Sequence, residues 1–273
     1  MNQTSSPAPL SLACLGTGKM GTALLQGIVA RRLLAAPAIT VFDPHAPAVA
    51  ASLDALPGMK SAMDAIQAVE TSEVVLLCLK PAGIVPLITS LQSVKPSRLL
   101  ISIAAGVTLK SMEAAAGHHR VIRDMPNTPA LIGQGAAAYA VGSTATATDA
   151  ATAESLLGAV GTVTRVAEPL LDAVTGLSGS GPAYVYTFIE ALADGGLAEG
   201  LSKEQALLLA AQTVAGAAAL VLQSGLHPAL LRDQVTSPGG TTIAGLAALE
   251  SRAFRSAGIE AVRAAARRSR ELA

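Results

Sequence analysis

Two short segments rich in glycine and hydroxyl groups carry the chemistry that the sequence offers most openly: Leu177–Pro182 (LSGSGP) and Thr236–Thr242 (TSPGGTT). Each precedes a stretch with helical periodicity. Each therefore presents unpaired backbone amides at a helix N-terminus, a setting suited to a carboxylate or phosphate. One such segment alone reads equally well as a capped turn; two in the same half of the chain favour an anion site. Proton donors are scarce beside them. The only lysine in the second half is Lys203, at a helix start, and the only histidine is His227, followed at once by Pro228. Reduction of a carbonyl to an alcohol calls for a strong donor such as His or Lys. Their scarcity narrows the chemistry toward a C=N bond, which carries its own proton near neutral pH. His118 and His119 read as a surface pair, and no H-E-x-x-H or C-x-x-C pattern points to a metal.

A third segment lies near the start. Gly16-Thr17-Gly18-Lys19-Met20-Gly21 matches G-x-G-x-x-G, directly after an apolar run and at the opening of a helical pattern. Gly16 permits the tight turn, Gly18 the approach of a pyrophosphate, and Gly21 close packing of helix on strand. Asp43 follows about 20 residues beyond, where an acid accepts hydrogen bonds from an adenosine ribose. That placement ordinarily favours NAD, since a 2′-phosphate about 4 Å from the carboxylate would cost about 4 kcal/mol. His45 nearby softens that argument, and Asp43 could instead cap the next helix, so the phosphate preference stays open.

The elements that must hold these segments fall into two rhythms. Up to about residue 167, the apolar runs Ser11–Leu15, Ile39–Phe42, Val74–Leu79, Leu99–Ile103 and Val121–Ile122 alternate with the helical segments Met20–Arg32, Ala46–Leu56, Ala82–Gln92 and Thr108–Ala116. Such alternation builds parallel sheets covered on both faces. Ala136–Val141 and Thr162–Val166 extend the sheet on either side of a helix over Asp149–Val160. After Pro169 only helical patterns remain: Pro182–Leu197, Ser202–Ser224, Ala229–Gln234, Thr242–Glu250 and Ile259–Glu271. Ser202 and Gln205 form a capping box. The expected architecture is α/β, a Rossmann-type doubly wound, mostly parallel sheet over residues 10–167, followed by an all-α domain over 168–273. Residues 1–9, polar and without an apolar core, read as a frayed tail and not as a signal peptide, which makes the cytoplasm the expected compartment.

Composition removes other classes. Nineteen basic residues balance nineteen acidic ones, and aromatic residues make up 2% of the 273, with no Trp. Neither the charge nor the stacking surface of a nucleic-acid binder is present. Cys14 and Cys78 lie in apolar strand-like runs and read as reduced core residues. The apolar run Ala206–Val221 is marginal as a membrane span. It reads better as a helix buried in a large core or an obligate subunit interface.

With these residues assembled, the sequence resembles the pyrroline-5-carboxylate reductases. Pro228–Glu250 (PALLRDQVTSPGGTTIAGLAALE) resembles the signature of that family almost without a break. Gly16–Gly21, Lys80-Pro81, Met125–Pro129 and Ser178–Tyr184 support it, and the likeness runs from about residue 11 to 272. The resemblance implies hydride transfer from NADPH or NADH to C5 of the cyclic imine Δ1-pyrroline-5-carboxylate, giving L-proline. It implies that Thr242 hydrogen-bonds the imine nitrogen and that Ser237, Gly240 and Thr241 help hold the substrate carboxylate. Cys78, Leu79, Lys80 and Pro81 would line the cofactor beside the nicotinamide ribose, with Asn127 on the same rim. The resemblance further implies homodimers formed through the helical half, often built into decamers, with a cleft that needs both subunits. Two residues depart from the pattern. Asp43 stands where relatives that prefer NADPH more often carry a hydroxyl or a base, and Asp124 stands where a small neutral residue is usual. A hydroxy-acid dehydrogenase on the same scaffold and a catalytically dead nucleotide sensor are the rival readings. The missing lysine opposes the first, and the intact Thr242 loop opposes the second.

Overall fold

The computed structural model describes residues 10–272; the tail expected over residues 1–9 lies outside them. Eight strands form one sheet: β1 (Leu12–Leu15), β2 (Ile39–Phe42), β3 (Lys60–Ser61), β4 (Val74–Leu77), β5 (Leu99–Ser102), β6 (Arg120–Met125), β7 (Gly135–Val141) and β8 (Gly161–Arg165). Their order is β3-β2-β1-β4-β5-β6-β7-β8. Only the β6–β7 pair is antiparallel. The first six strands follow the order that binds dinucleotides at the switch point between β1 and β4.

Both faces are dry because the strand side chains are apolar on both. Leu12, Cys14, Leu76 and Ile101 face α1 (Lys19–Ala30) and α6 (Ala147–Leu157). Ala13, Leu15, Leu77 and Leu100 face α3 (Ala65–Glu70), α4 (Pro81–Ser90) and α5 (Leu109–Ala116). A parallel sheet buried on both sides requires such continuous apolar runs. β3 was absent from the sequence expectation because its two residues are polar and exposed on an edge. β6 runs beyond the expected Val121–Ile122, because its charged side chains are accommodated inside: Arg123 Nη1 donates to Glu168 at 2.9 Å, while Asp124 is 1% exposed.

His119 corrects the expected surface pair. It is buried, its Nδ1 accepting from the Arg98 amide at 3.0 Å and its Nε2 lying 2.9 Å from the Leu91 carbonyl. Burial, the larger influence, holds its pKa below the ordinary histidine value. The ring is a strut between elements.

The first compact unit reaches Gly179 and takes in residues 265–272. Side chains tie residues 168–179 to it. Leu171, on α7 (Leu171–Val174), is buried in the core on the α4–α5 face. Glu168 accepts from both Arg123 and the Leu109 amide, and Ser269 Oγ donates to Asp172 at 2.7 Å.

The second unit, Ser180–Ala264, holds α8 (Gly181–Ala198), α9 (Lys203–Ser224), α10 (Pro228–Gln234), α11 (Thr241–Ser251) and the start of α12 (Phe254–Leu272). The capping box at Ser202 and Gln205 forms as expected. Gly196 of α8 lets the helices close on Ala206 of α9, where an added Cβ would sit 3.3 Å from that alanine's Cβ. Ala206 and Ala210 are the only buried residues of this unit. α9 is long and apolar enough to cross a membrane by length and composition, yet 11% of its most apolar stretch is buried within the chain. Its expected burial is therefore not provided by its own subunit.

Candidate functional site

The glycine turn sits at the carboxyl end of β1, at the sheet's switch point. Gly16 has φ +101°, and a Cβ there would lie 2.5 Å from the Cys78 carbonyl oxygen, so only glycine fits. At Gly21 a Cβ would strike the Gly16 carbonyl and press within 3.2 Å of Cys78 Cβ. Gly18 differs: nothing lies within 4 Å of its missing Cβ, so its smallness serves access and not packing. As the residue that opens α1 it supplies no side-chain cap, which leaves the amides of Lys19 and Met20 to an outside acceptor.

Asp43 follows β2 and braces this turn. Its Oδ2 accepts the Thr17 amide at 2.8 Å and its Oδ1 the His45 amide at 2.9 Å. Each carboxylate oxygen keeps a second lone pair, so the half-buried group can still accept a ribose hydroxyl. Thr17 Oγ1 is buried without a partner, a donor left over at the turn. An open glycine, uncapped amides, an orphaned hydroxyl and an acid at the next strand end together fit a dinucleotide's pyrophosphate and ribose.

The segment after β4 forms the neighbouring wall. The Cys78 amide donates to the Leu15 carbonyl at 2.8 Å. Both thiols are free, Cys14 buried and Cys78 half-buried, with sulfurs 3.9 Å apart. The Cys14 thiol beside it, and then burial, hold Cys78 well above the ordinary thiol range, so it is no nucleophile. Leu79 is half-buried, Lys80 exposed, and Pro81 opens α4 where a proline suits the first turn. Asn127 is spent on bracing: its Oδ1 accepts the Ala136 amide at 2.9 Å and its Nδ2 donates to the Ser178 carbonyl at 3.1 Å. Ser178 belongs to a π-helical turn over Thr175–Gly179. No side-chain pattern marks these braces, because their partners are backbone groups far along the chain.

In the second unit, Ser237–Thr242 forms a tight turn into α11. The Gly240 amide donates to the Ser237 carbonyl at 3.1 Å, and Gly239 takes φ +66°. A Cβ at Gly240 would collide with Ser237 Oγ. Gly240 caps α11 with no side chain, so the first amides of the helix, those of Thr241 and Thr242, are left for an anion. Thr242 is half-buried on that turn. Among the described residues no group of three His, Cys, Asp or Glu could hold a metal ion.

Residues 168–272 match a family model described as pyrroline-5-carboxylate reductase dimerisation, and residues 11–106 match one described as NADP oxidoreductase, coenzyme F420-dependent. A pyrroline-5-carboxylate reductase of Synechocystis is 46% identical over 263 residues, covering 96% of this chain and 98% of that one. The chain belongs to the pyrroline-5-carboxylate reductase family. Solved structures agree. The reductase of Coxiella burnetii superposes with a TM-score of 0.92 at 34% identity, over 97% of this chain and 99% of that one. The Plasmodium falciparum reductase, solved with NADP bound, gives 0.83 at 28% identity, over 96% and 98%. The protein is thus a two-part reductase: a dinucleotide fold followed by a helical dimerisation region.

Proposed function

We propose that the protein reduces Δ1-pyrroline-5-carboxylate to L-proline with NADPH or NADH. The observation that carries this reading is the uncapped first turn of α11, where Gly240, Thr241 and Thr242 follow Ser237. Its amides and the Ser237 hydroxyl suit a small carboxylate, and in this reading the Thr242 hydroxyl hydrogen-bonds the ring nitrogen next to it. Bound dinucleotide supplies the hydride that adds to C5 of the imine. The glycine turn, Asp43 and Cys78–Pro81 hold that cofactor, while Asn127 keeps the rim in shape. Threonine is too weak an acid to drive protonation; Thr242 orients an imine that is already largely protonated.

Steady-state assays of the cyclic imine with each cofactor in parallel test the proposal. Proline formation with matching cofactor oxidation is expected. Tight cofactor binding without turnover would instead make the protein a nucleotide sensor.

Cofactor choice turns on Asp43. The Asp43→Ser variant should raise the NADPH/NADH ratio of kcat/KM about tenfold or more, because a carboxylate near a 2′-phosphate is removed. An unchanged ratio would mean that Asp43 braces Thr17 without meeting the ribose.

A homodimer through the helical half supplies the cover that α9 lacks within its own chain, and it offers a use for this helix other than membrane insertion. Light scattering of the purified protein distinguishes a dimer from a decamer. Two free thiols suit a reducing compartment such as the cytoplasm.

A further inference from the structure

Asp124 lies outside the set of residues given a part in the reaction above, and among the described residues no side chain pairs with it. On β6 it shares a face with Ile122, beneath α1 and α6, and it is 1% exposed. Neither carboxyl oxygen finds a hydrogen-bond partner. It borders a small, partly open cavity, with room for about one water, walled by Leu24 of α1, Ala137 of β7, Leu157 of α6, Asn127 and, toward the surface, Thr162 of β8.

No cation reaches it. Arg120, at the other end of the same strand face, is taken by Asp149 of α6 at 2.9 Å. Arg123 points to the opposite face, toward Glu168. Tyr139, directly opposite on β7, directs its hydroxyl to Glu154 of α6 at 3.3 Å. The groups that do sense Asp124 are thiols: a charge on it would push Cys78 further up, and Cys78 touches Cys14 under Gly21. Burial, the larger influence, pushes the Asp124 carboxyl up to about 8, with the Met125 backbone acting in the opposite direction. At neutral pH it is therefore a neutral acid. Once ionised, it would be an unpaired charge in a largely apolar wall, a state the fold disfavours. Leu24 of α1 forms part of the wall against which that charge would stand. α1 is the helix whose first turn forms the cofactor seat.

We propose that Asp124 is a positioning residue: as the neutral acid it completes the packing beneath α1, and losing its proton loosens the dinucleotide seat from below. The inference rests on the reading of the glycine turn as that seat. It makes cofactor binding depend on pH through a buried group below the seat.

The test is binding of NADH and NADPH to the whole protein, followed by nicotinamide fluorescence from about pH 6.5 to about 9.5. Binding is read in place of turnover because the imine itself titrates. In the parent the Kd should be level up to about pH 8 and then rise about tenfold per pH unit, as the competent fraction falls. In Asp124→Ala and Asp124→Asn the alkaline rise should vanish, with Kd at pH 7 within about threefold of the parent. An equal rise in a variant would place the titrating group elsewhere and overturn the proposal. A parent that binds neither cofactor at any pH would sink the reading of the seat itself. Hydrogen exchange needs no variant: protection of α1 amides, corrected for intrinsic rates, should drop between pH 7 and 9, and unchanged protection overturns the proposal. Stability follows the same proton. A carboxyl raised in the folded state destabilises progressively as pH climbs from the ordinary carboxylate range to about 8. The thermal midpoint of Asp124→Ala should lose that slope.

Discussion

Ala218→Glu, in the middle of α9, is expected to dissociate the protein and abolish its activity in the same step. Ala218 is exposed within its own chain, as are Leu207, Leu208, Leu209, Leu220 and Leu222 on this helix. A carboxylate there would cost an isolated subunit almost nothing. In an assembled dimer that covers the helix, the charge would have to leave water without a partner, at several kcal/mol. A penalty of about 4 kcal/mol weakens association about a thousandfold. At micromolar protein the expectation is a monomer with activity reduced at least about a hundredfold. Light scattering and turnover on one sample check it. Val214→Glu, one turn earlier, should behave alike, whereas Ala218→Ser should leave both properties intact. A monomeric variant with full activity would refute the shared cleft.

Thr242→Ala carries the second large expectation. Its hydroxyl stands on the α11 turn beside amides that suit the substrate carboxylate. A hydrogen bond made mainly as the nitrogen changes character is worth about 1.5 kcal/mol, or about tenfold in kcat. We expect kcat to fall about 10- to 30-fold with the Kd for NADH and NADPH unchanged. Thr242→Ser, which keeps the oxygen, should recover most of the rate. Equal kcat in Thr242→Ala and parent would remove the residue from the mechanism. The fall should stay far from the losses seen when a matched general acid is deleted, about 10²–10⁴-fold, because a protonated imine needs little more than orientation.

The sequence conveyed most of what depends on local pattern. Val74–Leu77 and Leu99–Ser102 lie where their apolar runs placed them, because a doubly covered strand must be apolar throughout. The α9 capping box was readable from Ser202 and Gln205 because the interaction spans a single turn. Features that depend on distant partners were not readable. Nothing in the spacing says that Asp43 takes the Thr17 amide, or that Asn127 ties Ala136 to Ser178. His119 looked solvated because a histidine pair before a strand carries no mark of the carbonyl and amide that bury it. Nor does the sequence show that Glu168 and Asp172, polar in type, are bonded to Arg123 and Ser269 in space, which ties the segment after residue 167 to the first compact unit. On the site, the glycine turn and the Ser237–Thr242 turn were legible as motifs, while the burial of Asp124 was not.

If Asp43 meets the ribose, its bond to the Thr17 amide couples coenzyme choice to the fastening of the glycine turn. A lineage drifting toward the phosphorylated coenzyme cannot discard this acid without also releasing the loop it fastens. Side chains that still accept from an amide, such as Asn, open a passable route. Arginine, though attractive to a phosphate, would first need a second mutation to refasten the loop. An engineer wishing to exchange one coenzyme for the other should therefore keep at position 43 a side chain that still accepts the Thr17 amide.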